Sequence, residues 1–300
     1  MPNLNLTPTA AAEYAALAMY AWDMCDAQLH SPAPVPDSRI GLSGWTVVGY
    51  FFGSDDIVKS GNSIRTMMVG RSDDPSDKVC YGYLARQNID TGNYVAVIRG
   101  TDGAEEWHDD FDFLLRPPEP PLGGQVESGF YSIFDSMTYQ QASGGPSTRL
   151  ANGIATQVGT TAAVTVAGHS LGAVLASYLI GELAVLLGSP AVSGCLFASP
   201  KPGDGGFADY FGGLNVNCDI YNYQVDIVPD TPPLGYTALP GVIVLPPGGE
   251  NGGVQISASP ACCHHLFSYM ALLDTAVFKK VIALSGMTPD DCKCAACTTL

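Results

Sequence analysis

Between Leu150 and Gly181 the chain carries no Asp, Glu, Lys or Arg. A stretch of that length is long enough for an apolar membrane span, which needs roughly 20 residues. Its punctuation argues otherwise. Gly153, Gly159, the Thr160-Thr161 pair and Gly168-His169-Ser170 interrupt it, and the apolar pieces on either side have different periods. Ala163 to Ala167 reads as a strand and Leu171 to Leu187 as a long helix, so the stretch is strand, turn, helix and not a span.

The second half of the chain extends this alternation. A helical pattern from about Ser147 to Gly159 precedes the strand, and strands at Gly194 to Ala198 and Ile220 to Val225 follow the long helix. Short strands near Val242 to Leu245 and Val254 to Ile256 lead to a helix from about His264 to Leu284. Strands alternating with helices imply a parallel sheet. The first half differs. Thr7-Pro8 opens an Ala-rich helix to about Ala27 as N-cap and first helical residue. β-rich stretches follow at Trp45 to Phe52, Ile64 to Val69, Val79 to Arg86 and Tyr94 to Ile98, separated by Asp/Gly turns, and these are antiparallel candidates. Arg116 to Gly124 is too proline-rich for helix, and a helix is expected from about Val126 to Ala142. The expected fold class is α/β, a mostly parallel mixed sheet flanked by helices in one domain over residues 1–300.

Charged residues make up only 14% of the chain and apolar residues 46%, which excludes a disordered polyelectrolyte. The net charge of −16 and the lack of any basic cluster exclude tracking a phosphate backbone, so no nucleic-acid partner is expected. The first residues lack a basic n-region and an apolar h-region. That tilts the expectation slightly to the cytoplasm, although a secreted chain without its leader reads the same. Five of the nine cysteines lie in the last 39 residues. Cys292-x-Cys294-x-x-Cys297 with Cys262-Cys263 has a zinc-like spacing but no second ligand arm. The expectation is structural thiols or a disulfide tying down the tail, with no metal or cofactor.

Gly168-His169-Ser170-Leu171-Gly172 matches G-x-S-x-G, a weak string alone that gains force at a strand-to-helix turn. There glycines permit a sharp bend that exposes a serine hydroxyl, and the helix N-terminus supplies N–H donors for an oxyanion. A serine needs a base, and the base a carboxylate. His169 adjoins the serine and cannot fold back to serve it. His30 precedes the sheet and His108 lies in an acidic segment, which leaves His264 or His265, after the last strand signals. For the acid, Asp226 sits just past a strand end before a proline turn, with Asp219 and Asp230 as alternatives.

From about Val79 to Leu284 these residues resemble the class 3, fungal-type triacylglycerol lipases. Val97-Ile98-Arg99-Gly100-Thr101 is similar to that family's R-G-[ST] strand end, with Trp107 and Asp110 at the offsets of its continuation. The elbow, Phe197-Ala198-Ser199-Pro200-Lys201-Pro202-Gly203-Asp204 and Asp226-Ile227-Val228-Pro229 are the other matches. The resemblance implies an α/β-hydrolase fold with Ser170 as nucleophile, Asp226 as orienting acid and the Thr101 and Leu171 N–H groups as oxyanion hole. It favours His264 as base, through the similarity of His264-His265-Leu266-Phe267-Ser268-Tyr269 to the family's H-[SH]-[LM]-x-x-Y, with His265 the alternative.

Two departures stand out. Glu127-Ser128-Gly129-Phe130 replaces the His that many members carry before Gly-Phe. Asp102 to Asp112, where the family's lipases carry a lid, holds six acids in eleven positions, a poor membrane-facing surface. The implied function is ester hydrolysis through an acyl-enzyme, on a lipid or smaller ester, with only transient contact at a lipid–water interface. The rivals are a feruloyl-type esterase, a phospholipase A1 and a non-catalytic binding protein on the same fold.

Overall fold

A computed structural model describes residues 3–54, 78–100, 114–249, 253–288, 292 and 294–297. Among the described residues nine strands share one sheet, in the order β11-β10-β9-β8-β3-β2-β1-β6-β7. The antiparallel part is β1 (Trp45–Ser54), β2 (Lys78–Gln87) and β3 (Asn93–Ile98). At β3 the sheet changes character: β3 pairs parallel with β8 (Ala163–His169), and β9 (Val192–Phe197), β10 (Asn217–Tyr223) and β11 (Val242–Leu245) continue in parallel. Beyond β1 the other edge is built by β6 (Thr138–Gln141) and β7 (Thr148–Arg149), both antiparallel. Ile64 to Val69 lies outside the described residues. Two small antiparallel pairs complete the strands, β4 (Leu115–Arg116) with β5 (Val126–Glu127), and β12 (Val254–Ile256) with β13 (Ala295–Cys297).

The uncharged stretch occupies the middle of this architecture. Its strand is β8, flanked on both sides, and its helix, Leu171–Leu187, buries every residue from Leu171 to Ala184. A helix apolar all round can only be interior. The two charges bounding the stretch, Arg149 and Glu182, pair with each other.

Helices cover both faces. On one, Leu171–Leu187 packs with Ser128–Ser136 and Leu150–Val158. On the other lies α1 (Pro8–Ala27), against β2, β3, β8 and the C-terminal helices. Thr7 caps α1, its hydroxyl accepting from the Ala10 N–H at 3.2 Å, with Pro8 at the first position. Asp219, fully buried on β10, pins the segment before α1. Its carboxylate accepts the backbone N–H groups of Leu4, Asn5 and Leu6 at 2.7, 3.2 and 2.9 Å.

Three elements depart from expectation. The helix expected over 126–142 is only Ser128–Ser136; at Met137 the chain extends and becomes β6, with the Tyr139 ring packed over Gly49 where any side chain would collide with it. Packing across the pair overrides helical propensity there. A helix at Gly205–Gly213 forms despite four glycines, because Asp204 caps it by accepting from the Phe207 N–H at 2.9 Å and Phe207 and Phe211 are buried. The single helix expected from His264 to Leu284 is three: α7 (Pro260–His264), α8 (Leu266–Leu273) and α9 (Thr275–Leu284). His265 and Asp274 break it, each extended and each capping the helix that follows.

Disulfides join Cys25 of α1 to Cys80 of β2, and Cys262 of α7 to Cys294 in the tail. Cys195, Cys218, Cys263 and Cys292 are free thiols. Among the described residues no group of three or more His, Cys, Asp or Glu is arranged to hold a metal ion, and no helix is long and apolar enough to cross a membrane.

Candidate active site

Ser170 follows the last residue of β8 and precedes the first residue of the helix Leu171–Leu187, with φ 56° and ψ −127°. A non-glycine residue there carries a strain of about 1–3 kcal/mol. Its neighbours sustain it. The Ser170 N–H donates to the Phe197 carbonyl at 3.0 Å. A side chain at Gly168 would strike the Gly172 carbonyl, and one at Gly172 would strike the carbonyls of Ile98 and Arg99. The two glycines of the motif are therefore required by close backbone approach. Leu171 opens the helix, where the first N–H groups have no intrahelical acceptor.

Asp226 follows β10 and precedes the short helical turn Val228–Asp230. Its Oδ1 accepts from the Val228 N–H at 3.0 Å. Its Oδ2 lies 2.8 Å from His264 Nδ1 and accepts from the Tyr269 hydroxyl at 2.7 Å. A carboxylate only accepts, so Nδ1 carries the hydrogen and Nε2 presents its lone pair. The Tyr269 oxygen in turn accepts from the Tyr223 N–H at 3.0 Å. Burial first, and then the charge of Asp226, push the Tyr269 hydroxyl well above its ordinary pKa, so it stays a donor.

The elbow meets this pair through His169. Its ring packs against the His264 ring at 4.7 Å between centroids with the planes inclined at 37°, and its Nε2 lies 2.7 Å from the His264 carbonyl oxygen. Ser170 Oγ and His264 Nε2 are both buried, and neither has a hydrogen-bond partner among the described residues. A hydroxyl on the elbow and an imidazole lone pair on the ring that His169 contacts, both left without a partner among the described residues, are the kinds of group that proton transfer from serine to histidine requires.

His264 is the last residue of α7, not the first residue of a long helix. The break at His265 separates the roles of the two histidines. His265 is exposed, and its Nδ1 accepts from the Phe267 N–H at 3.1 Å as the cap of α8. Asp219 is committed to the N-terminal segment, and the Asp230 carbonyl accepts from Lys201 Nζ at 2.7 Å. Of the three acids weighed from sequence, Asp226 is the one hydrogen-bonded to a histidine among the described residues.

Thr101, Trp107, Asp110 and the acidic segment from Asp102 to Asp112 lie outside the described residues. Gly100, at the end of β3, is described: a side chain there would sit 3.0 Å from the His169 carbonyl and 3.3 Å from Ser170 Cβ. Buried Arg99 fixes this strand end, with Nε donating to the Cys80 carbonyl at 2.8 Å and Nη1 to the Gly100 carbonyl at 2.9 Å. Trp22 of α1 approaches the same point, its Cζ3 3.4 Å from where that side chain would be. Sequence reasoning missed Trp22, because nothing local ties an N-terminal helix to a motif beyond residue 160. It also set His169 aside as a base without anticipating its contact with His264.

Residues 95–236 match the family model for class 3 lipases. A phospholipase A1-II 7 of Oryza sativa subsp. indica is 33% identical over 187 residues, covering 51% of this chain and 43% of that protein. A phospholipase A1-IIgamma of Arabidopsis thaliana is 30% identical over 166 residues, covering 46% of this chain and 38% of that one. The match thus spans less than half the length of these two relatives. Among solved structures, the Lip2 lipase of Yarrowia lipolytica superposes with a TM-score of 0.57 at 17% identity, over 81% of this chain and 80% of that one. A triacylglyceride lipase of Rhizomucor miehei gives 0.54 at 17%, over 78% of each. At such identity these neighbours speak for the fold alone: the chain is built on the α/β-hydrolase fold, and residues 95–236 of it are similar to the class 3 lipases.

Proposed function

We propose that this protein is a serine hydrolase of carboxylic esters, acting through an acyl-enzyme. The observation that carries the reading is the 2.8 Å pair between His264 Nδ1 and Asp226 Oδ2, with Nε2 left open beside the Ser170 elbow. Ser170 Oγ attacks the ester carbonyl as His264 Nε2 takes its proton, and Asp226 stabilises the resulting imidazolium without being protonated itself. The N–H groups of Leu171 and Thr101 receive the oxyanion, each such donor supplying about 2.7–4 kcal/mol. The alcohol leaves with the proton from His264; water, deprotonated by the same nitrogen, then releases the acid.

A lipid ester is the substrate class the surroundings favour. Val225 and Ile227, on either side of Asp226, are about half exposed, and Leu234 is 86% exposed on the following loop. Apolar side chains exposed beside a catalytic acid suit acyl chains and a transient lipid interface. The plant relatives named as phospholipases A1 support a second reading, release of the sn-1 acyl chain from a phospholipid. The two disulfides support an oxidising compartment over the cytoplasm.

Hydrolysis of p-nitrophenyl esters of increasing chain length, with and without Ser170→Ala, tests the reading. Parent activity that vanishes in the variant is expected; a variant that keeps full activity sinks it. Tributyrin against dioleoyl phosphatidylcholine then separates a glyceride lipase from a phospholipase A1.

A further inference from the structure

His169 occupies the variable position of the G-x-S-x-G motif, where the side chain takes no part in the reaction described above. It is buried, and it makes one hydrogen bond, from Nε2 to the His264 carbonyl at 2.7 Å, across 95 residues of sequence. A carbonyl oxygen can only accept, so His169 is the neutral tautomer with its hydrogen on Nε2. Its Nδ1 has no partner among the described residues. Burial, and then the proximity of His264, hold the His169 pKa well below its ordinary value, which keeps the ring neutral when His264 takes up a proton.

The acceptor is as unusual as the donor. The extended conformation of His265 (ψ 138°) takes the chain out of α7 immediately after His264. The Ser268 N–H, which a continuous helix would direct to the His264 carbonyl, donates instead to the His265 carbonyl at 2.9 Å. A buried carbonyl so orphaned needs another donor, and the His169 ring supplies it. The same ring packs at a tilt against the His264 imidazole, 4.7 Å between centroids, and meets the Tyr269 ring edge-on at 6.0 Å. His169 therefore touches the proposed base at its backbone and its ring, and the residue that braces the acid.

We propose that His169 is a positioning residue: its Nε2–H, fixed to the serine's own backbone, sets the height and tilt of His264 relative to Ser170. The elbow thereby carries both the nucleophile and the brace for its base, so a shift of the strand end moves the two together. The inference rests on the proposed serine-hydrolase reading.

Four variants test it, each measured for kcat and KM on p-nitrophenyl butyrate, with rates of the His169 variants normalised to sites titrated by a phosphonate ester and that of Ser170→Ala to protein concentration. His169→Phe keeps a ring and removes the donor. His169→Gln and His169→Met have similar length and volume, and only Gln can donate to the carbonyl. Ser170→Ala reports on the parent reading. A displacement of the order of 1 Å at a reacting group is felt as about a hundredfold in rate. The expectation is a fall of tenfold to a hundredfold in kcat for Phe and Met, KM within about twofold of the parent, and kcat recovered to within about fivefold by Gln. Equal kcat in Gln and Met, or a loss confined to melting temperature, overturns the positioning role, and that pair decides even if the Phe protein does not fold. If Ser170→Ala is as active as the parent, the hydrolase reading itself has failed. If Ser170→Ala is inert while Met matches the parent, only the role of His169 has failed.

Discussion

Glu127 offers a direct measurement of how dry this interior is. It stands at the end of β5, just before Ser128-Gly129-Phe130, and it is fully buried. One oxygen caps the helix Ser128–Ser136 by accepting from the Phe130 N–H at 2.6 Å; the other has no partner among the described residues. Burial pushes its pKa up from 4.5 to about 7, against the lowering effects of the cap and of Arg116. The unfolded chain loses this proton near pH 4.5 and the folded chain keeps it to about pH 7. Between those limits the native state binds more protons, so stability falls as pH rises. A difference of that size corresponds to on the order of 3 kcal/mol at pH 8, at about 1.36 kcal/mol per unit. Glu127→Gln removes the ionisation and keeps an oxygen for the Phe130 N–H. Urea unfolding of parent and variant from pH 4 to 8.5 measures the effect. The stability advantage of the Gln protein, whatever its value at pH 4, should grow across pH 4.5 to 7 and then level off. A difference constant with pH, or one that shrinks as pH rises, refutes the assignment of a neutral buried acid.

Two further predictions concern ties between distant segments. Asp219→Asn keeps the shape but replaces one acceptor oxygen by a donor facing the backbone N–H groups of residues 4–6. It should cost about 2–3 kcal/mol, the scale of lost hydrogen bonds to a charged group, read as a lower urea midpoint, with kcat on p-nitrophenyl butyrate unchanged. Cys294→Ser opens a loop whose cysteines are 32 apart, so about 3–4 kcal/mol is expected from chain entropy. Because Cys262 lies two residues before His264, activity at 25 °C should fall too, and full activity in the variant would show that α7 holds His264 without the tail.

The parts of this fold that sequence discloses are those whose causes are local. Thr7-Pro8 caps and starts α1 through its own hydroxyl and fixed φ. The elbow is legible because a Val/Thr strand, two glycines and an apolar helix lie next to each other. What escaped depends on partners far away in sequence. β6 exists because Tyr139 finds Gly49; the five-residue helix that ends on His264 stops there because the His265 side chain caps the next one instead. Asp226 and His264 were legible through family likeness more than through physics, since no local pattern distinguishes Asp226 from Asp219. The structure separates them by what each carboxylate binds: a histidine ring in one case, three N-terminal amides in the other.

The scarcity of charge around Ser170 also has an electrostatic consequence. Ser170 follows β8, Asp226 follows β10 and Gly100 closes β3, so all three emerge at the carboxyl ends of parallel strands, on one edge of the sheet, as ligand sites in such sheets do. Residues 150–181 bring no charge to that edge, and the Arg149–Glu182 pair that bounds them is self-contained. Asp226 is thus the one carboxylate hydrogen-bonded to His264 among the described residues, and both its oxygens are already held, by Val228, Tyr269 and His264. In a low-dielectric setting, dipoles fixed in advance act more strongly than water can and need no reorganisation during reaction. The molecule carries a net charge of −16, yet among the described residues the anion hydrogen-bonded to the proposed base is a single one, oriented in advance by its other partners.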